Sequence, residues 1–264
     1  MSAEGKWAIV TGASSGIGRA LALECAAAGF DVVLTGRNEQ ALVEVARECS
    51  ERSRVKTDII VAELARADST DQLISRLAGQ TRRYEILVNN AGFGINGTFA
   101  DTDIGSEVDL LNVQLAAALK LTKAILPAMI ARRSGRILNV GSVYCYAPVP
   151  FQSVYSACKA FLLSFSAAIR NELEGTGVTV TVFCPGITQT EFRTRAGIAE
   201  KNKNSGMTAA AAARIAFGET MRGKAVVIPG AENRLFVVLA KLLPNTAFTS
   251  IIRYINQKRG HKNG

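Results

Sequence analysis

Histidine is nearly missing. The 264-residue chain has one, His261, inside a basic tail. That excludes a Ser-His-Asp or Cys-His catalytic system and a His-rich metal site. Any proton chemistry must therefore run on another side chain, and no metal is expected. The five cysteines (Cys25, Cys49, Cys145, Cys158, Cys184) are scattered, with no Cys-x-x-Cys pair. Such a set reads as reduced intracellular thiols, not a disulfide framework. Six prolines among 264 residues give no Pro-rich, disordered character. No apolar stretch is expected to approach the roughly 18 residues of a membrane span; the stretch 235–243 is broken by Lys241 and stopped by Pro244. The sequence passes from Met1 to Lys6 straight into a strand-like run, so no secretory leader and a cytoplasmic location are expected.

What is present is alternation. Short apolar, β-branched runs at 7–11, 31–35, 58–62, 85–89, 135–141, 178–184 and 225–229 read as strands covered on both faces. Amphipathic segments at 16–28, 39–51, 70–81, 104–131, 153–174 and 208–221 separate them. This pattern predicts an α/β fold: one Rossmann-type, doubly wound domain over residues 1–264, with a mostly parallel seven-stranded sheet and helices on both faces. Two regions break the pattern. The polar stretch 187–206 is expected to form a substrate lid, and residues 231–264 a C-terminal helical extension.

Directly after the first strand stands Thr11-Gly12-Ala13-Ser14-Ser15-Gly16-Ile17-Gly18, followed by a helix. Glycines at this point of a first βα unit let backbone amides approach a pyrophosphate at the helix N-terminus. Further on come Asn89-Asn90-Ala91-Gly92, Asn112, Ser142, Tyr155-x-x-x-Lys159 and Pro185-Gly186-x-x-x-Thr190, each at the end of a predicted element or within one. In this order the motifs resemble the short-chain dehydrogenase/reductase family over residues 6 to about 230. The resemblance implies a cofactor site built from Gly12, Ser14, Ser15, Gly16, Ile17, Gly18, Asn89, Ala91, Gly92, Tyr155, Lys159, Pro185, Gly186, Thr188 and Thr190. It also implies catalytic roles for Asn112, Ser142, Tyr155 and Lys159, with Asn112 perturbing its helix and holding a water that relays protons to the lysine.

Residue chemistry supports this. Tyr155 and Lys159, at i and i+4, share a helix face, and an ammonium beside a phenol favours phenolate. That is acid–base chemistry without imidazole. Ser142, at a strand's carboxyl end, is placed to hold a carbonyl oxygen. The second strand ends in Gly36-Arg37 where an NAD-specific site would carry an acid. A guanidinium suits phosphate, so the expected cofactor is NADP(H), read by Arg37 with Arg19 or Ser14 as helpers. Glu63 stands where relatives carry an Asp contacting adenine, with Asp68 as its rival.

The expected reaction interconverts a small-molecule carbonyl, ketone or aldehyde, and its alcohol; the alternative is a non-catalytic NADP-sensing module on the same fold. Phe93, Ile95, Val143, Tyr144, Tyr146, Pro148, Phe151, Ile187 and Phe192 are candidates to line an apolar pocket. Arg193, Arg195, Lys201 and Lys203 make the lid mildly basic. The net charge of +9 is dispersed and not interleaved with aromatics, so no nucleic-acid partner is expected. The resemblance implies a homodimer or homotetramer. After Pro244, Phe248, Ile251, Ile252 and Ile255 form an apolar stripe opposite Arg253 and Lys258. It requires cover from the substrate cleft, a second subunit or, as a weak peripheral contact, a lipid surface; proximity to the cleft favours the first two.

Overall fold

The structure, a computed structural model, describes residues 5–198 and 205–260, with side chains as far as Asn256. The expected Lys201, Lys203, His261 and Lys262 lie outside the described residues, as do the side chains of Lys258 and Arg259.

Five strand–helix units and a sixth strand build the main body: β1 Lys6–Thr11, α1 Gly16–Ala27, β2 Asp31–Gly36, α2 Glu39–Ser53, β3 Thr57–Val61, α3 Ala67–Ala78, β4 Arg83–Asn89, α4 Ile104–Leu111, α5 Ala117–Ala131, β5 Gly135–Val140, α6 Ser153–Glu172 and β6 Val178–Phe183. Then follow β7 Thr188–Gln189, α7 Phe192–Arg195, β8 Met207–Thr208, α8 Ala209–Met221, β9 Val226–Val227, α9 Ala231–Leu242 and α10 Asn245–Gly260. The seven-stranded sheet runs β3-β2-β1-β4-β5-β6-β9, every pair parallel. β1 through β6 are apolar nearly throughout because both faces are covered. One core layer joins Val10, Val32, Leu34 and Val88 to Leu21, Cys25 and Leu42 of α1 and α2 and to Ala212 and Ala216 of α8. The other joins Ile9, Val33, Leu87 and Ile137 to Leu73 of α3 and Leu121, Ile125 and Met129 of α5.

Strand order reverses at the β1/β4 boundary. In doubly wound sheets the crevice outside the carboxyl ends at that switch point receives the ligand. Here it brings Gly12, after β1, beside Asn90 and Ala91, after β4.

Three features differ from the expectations. The segment expected to form a lid is pinned at its base by a two-stranded parallel pair, β7 with β8, which joins Thr188 to Met207 and Gln189 to Thr208. The last strand shrinks to Val226–Val227. And the continuous helix 104–131 is, after all, long and apolar enough to cross a membrane by length and composition. Lys120 and Lys123 interrupt its apolar run in the sequence. In the fold its apolar face, Ala117, Leu121, Ile125 and Met129, packs on the sheet, and Lys120 Nζ meets Asp71 Oδ1 at 2.7 Å.

Candidate active site

The glycine turn is fixed by a clasp from the far side of the crevice. Thr11 Oγ1 donates to Val88 O (3.1 Å) and accepts from the amides of Asn90 and Ala91 (2.9 and 3.0 Å). Asn90 Nδ2 donates to Thr11 O (2.9 Å) and Gly12 O (3.3 Å). A Cβ on Gly18 would sit 2.1 Å from Gly12 O and one on Gly12 2.9 Å from Ala91 Cα, so neither position admits a side chain. Gly16 lies at φ +56, a conformation open to glycine. Helix α1 starts without a side-chain cap on Ser15 and with no acid in its first turn. The amides of Gly16, Ile17 and Gly18 are thus left for an anion, and the turn fits the pyrophosphate of a dinucleotide.

Asn89 sits at the floor of the crevice, lining a small cavity with Thr11, Ala91 and Lys159. Its side chain is buried in the sheet, donating to Thr122 Oγ1 (3.2 Å) and Asn139 Oδ1 (2.8 Å), because strand alternation turns residue 89 inward and residue 90 outward. Asn90 and Thr11, absent from the expected site, hold the glycine turn instead. Both were visible in the motifs, but only alternation along β4 decides which asparagine reaches out.

At the end of β2, Gly36 packs beside Ser14 and Leu42; a Cβ there would stand 3.5 Å from Ser14 Oγ, in ordinary contact. Arg37 projects into solvent with its side chain 69% exposed, and its Nη1 lies 3.4 Å from Glu63 Oε2. Glu63 Oε1 also accepts from the Ala65 amide (3.2 Å). Asp68 is engaged by Arg66 through two bonds, 3.2 and 3.1 Å. Arg19 pairs with Glu48, which also holds Arg52 at 2.8 Å, so of the two expected helpers Ser14 stands nearer Gly36.

Across the crevice, α6 carries Tyr155 and Lys159 on its buried face with Ser156, Leu162 and Ser166. Phe151, just before the helix, holds φ +69, a strained turn for a bulky residue, and its carbonyl accepts from Gly97 N (2.9 Å). Lys159 Nζ donates to Val140 O (2.9 Å) at the end of β5 and lies 5.4 Å from the Tyr155 ring centroid. Burial pulls the lysine down to about 8. Burial also pushes the Tyr155 phenol well above its ordinary value, helped by Cys145 and Tyr144 and opposed by a hydrogen bond with Ser142. On the phenol, burial thus acts against the effect expected of Lys159. Desolvation of a nearly fully covered phenol outweighs an ammonium that gives its hydrogen bond to Val140.

Ser142 follows β5 and caps a short 3-10 turn, Val143–Tyr146, its Oγ accepting from Tyr144 N (3.2 Å). Beneath it two unexpected thiols meet: Cys145 Sγ accepts from Ser142 N (3.4 Å) and lies 3.8 Å from Cys184 Sγ. Asn112 opens a π turn, Asn112–Ala116, between α4 and α5, with Ala117 N bonded to Asn112 O. Such turns cluster at functional sites. The Asn112 side chain donates to Ala65 O (3.0 Å), so it ties the π turn to the loop after β3. Gln114, in the same turn, donates to Phe93 O (3.0 Å) and packs against Gly92. It was not anticipated, since nothing in the local sequence marks a π turn.

Pro185 O accepts from Val143 N (3.0 Å), and Gly186 is pressed by the Asn233 side chain, leaving no space for a Cβ. Thr188 Oγ1 bonds Gly186 O (3.3 Å), and the Thr190 methyl reaches within 3.2 Å of the Gly16 Cβ position. Phe192 from α7 then covers Tyr155, ring centroids 5.4 Å apart, while Tyr144 meets Tyr155 edge-on at 6.4 Å. Phe93 and Ile95 join this cluster. Of the other expected pocket residues, Pro148 is exposed and Ile187 is 40% exposed. Tyr146 packs towards α9 and α10, with Lys241 over its ring. Among the described residues no cluster of three metal-ligating side chains occurs.

A proton-bearing phenol set beside a dinucleotide cradle marks the class of protein: an oxidoreductase. Relatives place it within that class. A model of the short chain dehydrogenase family matches residues 6–201. Sulfoacetaldehyde reductase 2 of Chromohalobacter salexigens is 39% identical over 186 residues, 70% of this chain and 73% of that one. Dehydrogenase/reductase SDR family member 7B of Mus musculus is 30% identical over 266 residues, 96% of this chain and 82% of that one. A solved short-chain dehydrogenase from Sphingobium yanoikuyae, in complex with NADPH, superposes with a TM-score of 0.81 at 29% identity, covering 98% of this chain and 100% of that one. The chain belongs to the short-chain dehydrogenase family, oxidoreductases that bind a nicotinamide cofactor.

Proposed function

We propose that the protein is an NADP(H)-dependent oxidoreductase interconverting a largely apolar ketone or aldehyde and the corresponding alcohol. The observation that carries this reading is the buried Tyr155–Lys159 pair, roofed by Phe192 and Tyr144 and set beside Ser142. The sulfoacetaldehyde reductase relative and the NADPH-bound neighbour support a carbonyl substrate and a phosphorylated cofactor. Gly12, Gly16, Ile17 and Gly18 hold the pyrophosphate; Arg37 and Ser14 hold the 2′-phosphate. The nicotinamide, when bound, supplies or accepts the hydride.

The chain's own residues manage the oxygen and the proton. Ser142 offers its hydroxyl to the carbonyl oxygen. Tyr155, kept as a phenol by burial, donates the proton as negative charge develops on that oxygen. Lys159 then faces the phenolate left behind and stabilises it by charge. The apolar cover excludes water and selects substrates with apolar substituents. Purified protein should therefore oxidise NADPH faster than NADH over a panel of aromatic and long-chain carbonyls. NADPH binding without turnover across the panel would instead favour the sensing module.

The protonation states set the pH dependence. Tyr155 remains protonated through neutral pH, whereas Lys159 loses its charge near 8. The kcat/KM for NADPH, which reports the free enzyme, should be level at neutral pH and fall above about 8. A profile still rising at about pH 10 would contradict the assigned role of the lysine charge.

A further inference from the structure

The C-terminal helices divide their apolar residues between two faces. The inner faces close a satellite core: Ala240, Phe248 and Ile252 pack with Ala147 and Val149, beside Tyr144 and Phe236. Phe236 meets Phe248 edge-on at 5.3 Å and Tyr144 at 6.2 Å, so this core backs directly onto the wall of the active site. The outer faces are left uncovered. On α9, Leu235, Val238, Leu239 and Leu242 recur at i, i+3, i+4 and i+7 and are 43% to 74% exposed. On α10, Ile251 and Ile255 are 49% and 36% exposed. A row of large aliphatic side chains at helical spacing, opposite the packed face of α9 and beside that of α10, marks an interaction surface.

The charge of this C-terminal sequence selects the occupant. After Glu232 it carries six basic residues (Arg234, Lys241, Arg253, Lys258, Arg259 and Lys262) and no acid; among the described side chains Arg234 reaches back to Ile228 O, Lys241 lies over the Tyr146 ring, and Arg253 stands on α10. A two-fold dimer through this face would set the patch against its own copy, bringing two purely basic segments together. An anionic surface is complementary. Neither helix spans a bilayer: α9 has 12 residues and α10 has 16, against about 20 needed. Both suit lying in the interface, apolar side down and basic residues towards headgroups.

We propose that the outer face of α9 and α10 is a peripheral docking surface for an anionic lipid bilayer. Docking there places the apolar wall of the cleft, through Phe236 and Tyr144, next to the lipid. This goes beyond the catalytic reading and does not depend on it.

The test is co-sedimentation of the full-length protein with phosphatidylglycerol/phosphatidylcholine vesicles and with pure phosphatidylcholine vesicles. The protein should partition onto the anionic vesicles at least tenfold better, and less at raised salt. The triple variant Leu235→Ser/Leu239→Ser/Leu242→Ser should lose that partitioning at least tenfold with its melting temperature and solution molecular weight unchanged. Should the triple variant be unfolded, Arg253→Glu/Lys258→Glu, which leaves the apolar row intact, should lose it instead. Equal partitioning of wild type onto both vesicle types would overturn the proposal. So would failure to bind either, or a triple variant whose assembly breaks down in solution, since that makes the face a subunit contact.

Discussion

Tyr155→Phe is expected to lower kcat by about a hundredfold to ten-thousandfold while leaving NADPH affinity within a few-fold. General acid catalysis is worth roughly 10²–10⁴ in rate, and here no imidazole stands by to replace the phenol. The ring itself survives, so its contacts with Phe192 and Tyr144 and the packing of α6 are retained. Steady-state rates together with a fluorescence titration of NADPH separate the two effects. A variant with near wild-type turnover would remove Tyr155 from the chemistry, and one that loses cofactor binding would make its role architectural.

Arg37→Asp should reverse the cofactor preference. A hydrogen bond to a charged group is worth roughly 1.5–3 kcal/mol, and an aspartate adds repulsion against the 2′-phosphate. The NADPH kcat/KM should fall by about a hundredfold or more, while that for NADH is maintained or rises. Glu63, 3.4 Å from the Arg37 guanidinium in wild type, then loses its cation and increases the repulsion. Unchanged preference for NADPH would mean that the phosphate is read elsewhere, and a wild type that already prefers NADH would overturn the reading of Gly36-Arg37.

Much of the frame was legible because strand-forming and helix-forming runs alternate without ambiguity, and because glycine is demanded wherever backbones nearly touch. Gly18 could be read as a contact residue from its place after β1, and the structure gives the reason in the Gly12 carbonyl. Tyr155 and Lys159 share a face by helical arithmetic alone. Other parts depended on partners distant in sequence. The choice between Asn89 and Asn90 is a matter of which way β4 turns at its last residue. The π turn at Asn112 is fixed by the Ala65 carbonyl, 47 residues earlier. For Tyr155, a lysine at i+4 is visible in the sequence, whereas the cover that pushes its phenol up comes from Phe192 of α7 and the 3-10 turn after β5. The Cys145–Cys184 contact joins two turns that only the sheet order brings together.

The C-terminal stripe shows the same limit. Spacing marked Phe248, Ile251, Ile252 and Ile255 as one row, but the row is split by what α10 meets. Phe248 and Ile252 fall against the segment after Ser142, and Ile251 and Ile255 turn outward.

The central claim is that a hydride passes between the cofactor and a carbonyl carbon held at Ser142 and Tyr155. It is tested most directly by supplying NADPH stereospecifically deuterated at C4 with a carbonyl substrate found in the panel, and examining the alcohol by mass spectrometry and NMR. The account predicts one deuterium at the carbinol carbon of the product, from one face of the nicotinamide only, and the same labelled alcohol formed far more slowly when Tyr155→Phe replaces the wild type. Alcohol formed without deuterium at that carbon would contradict it.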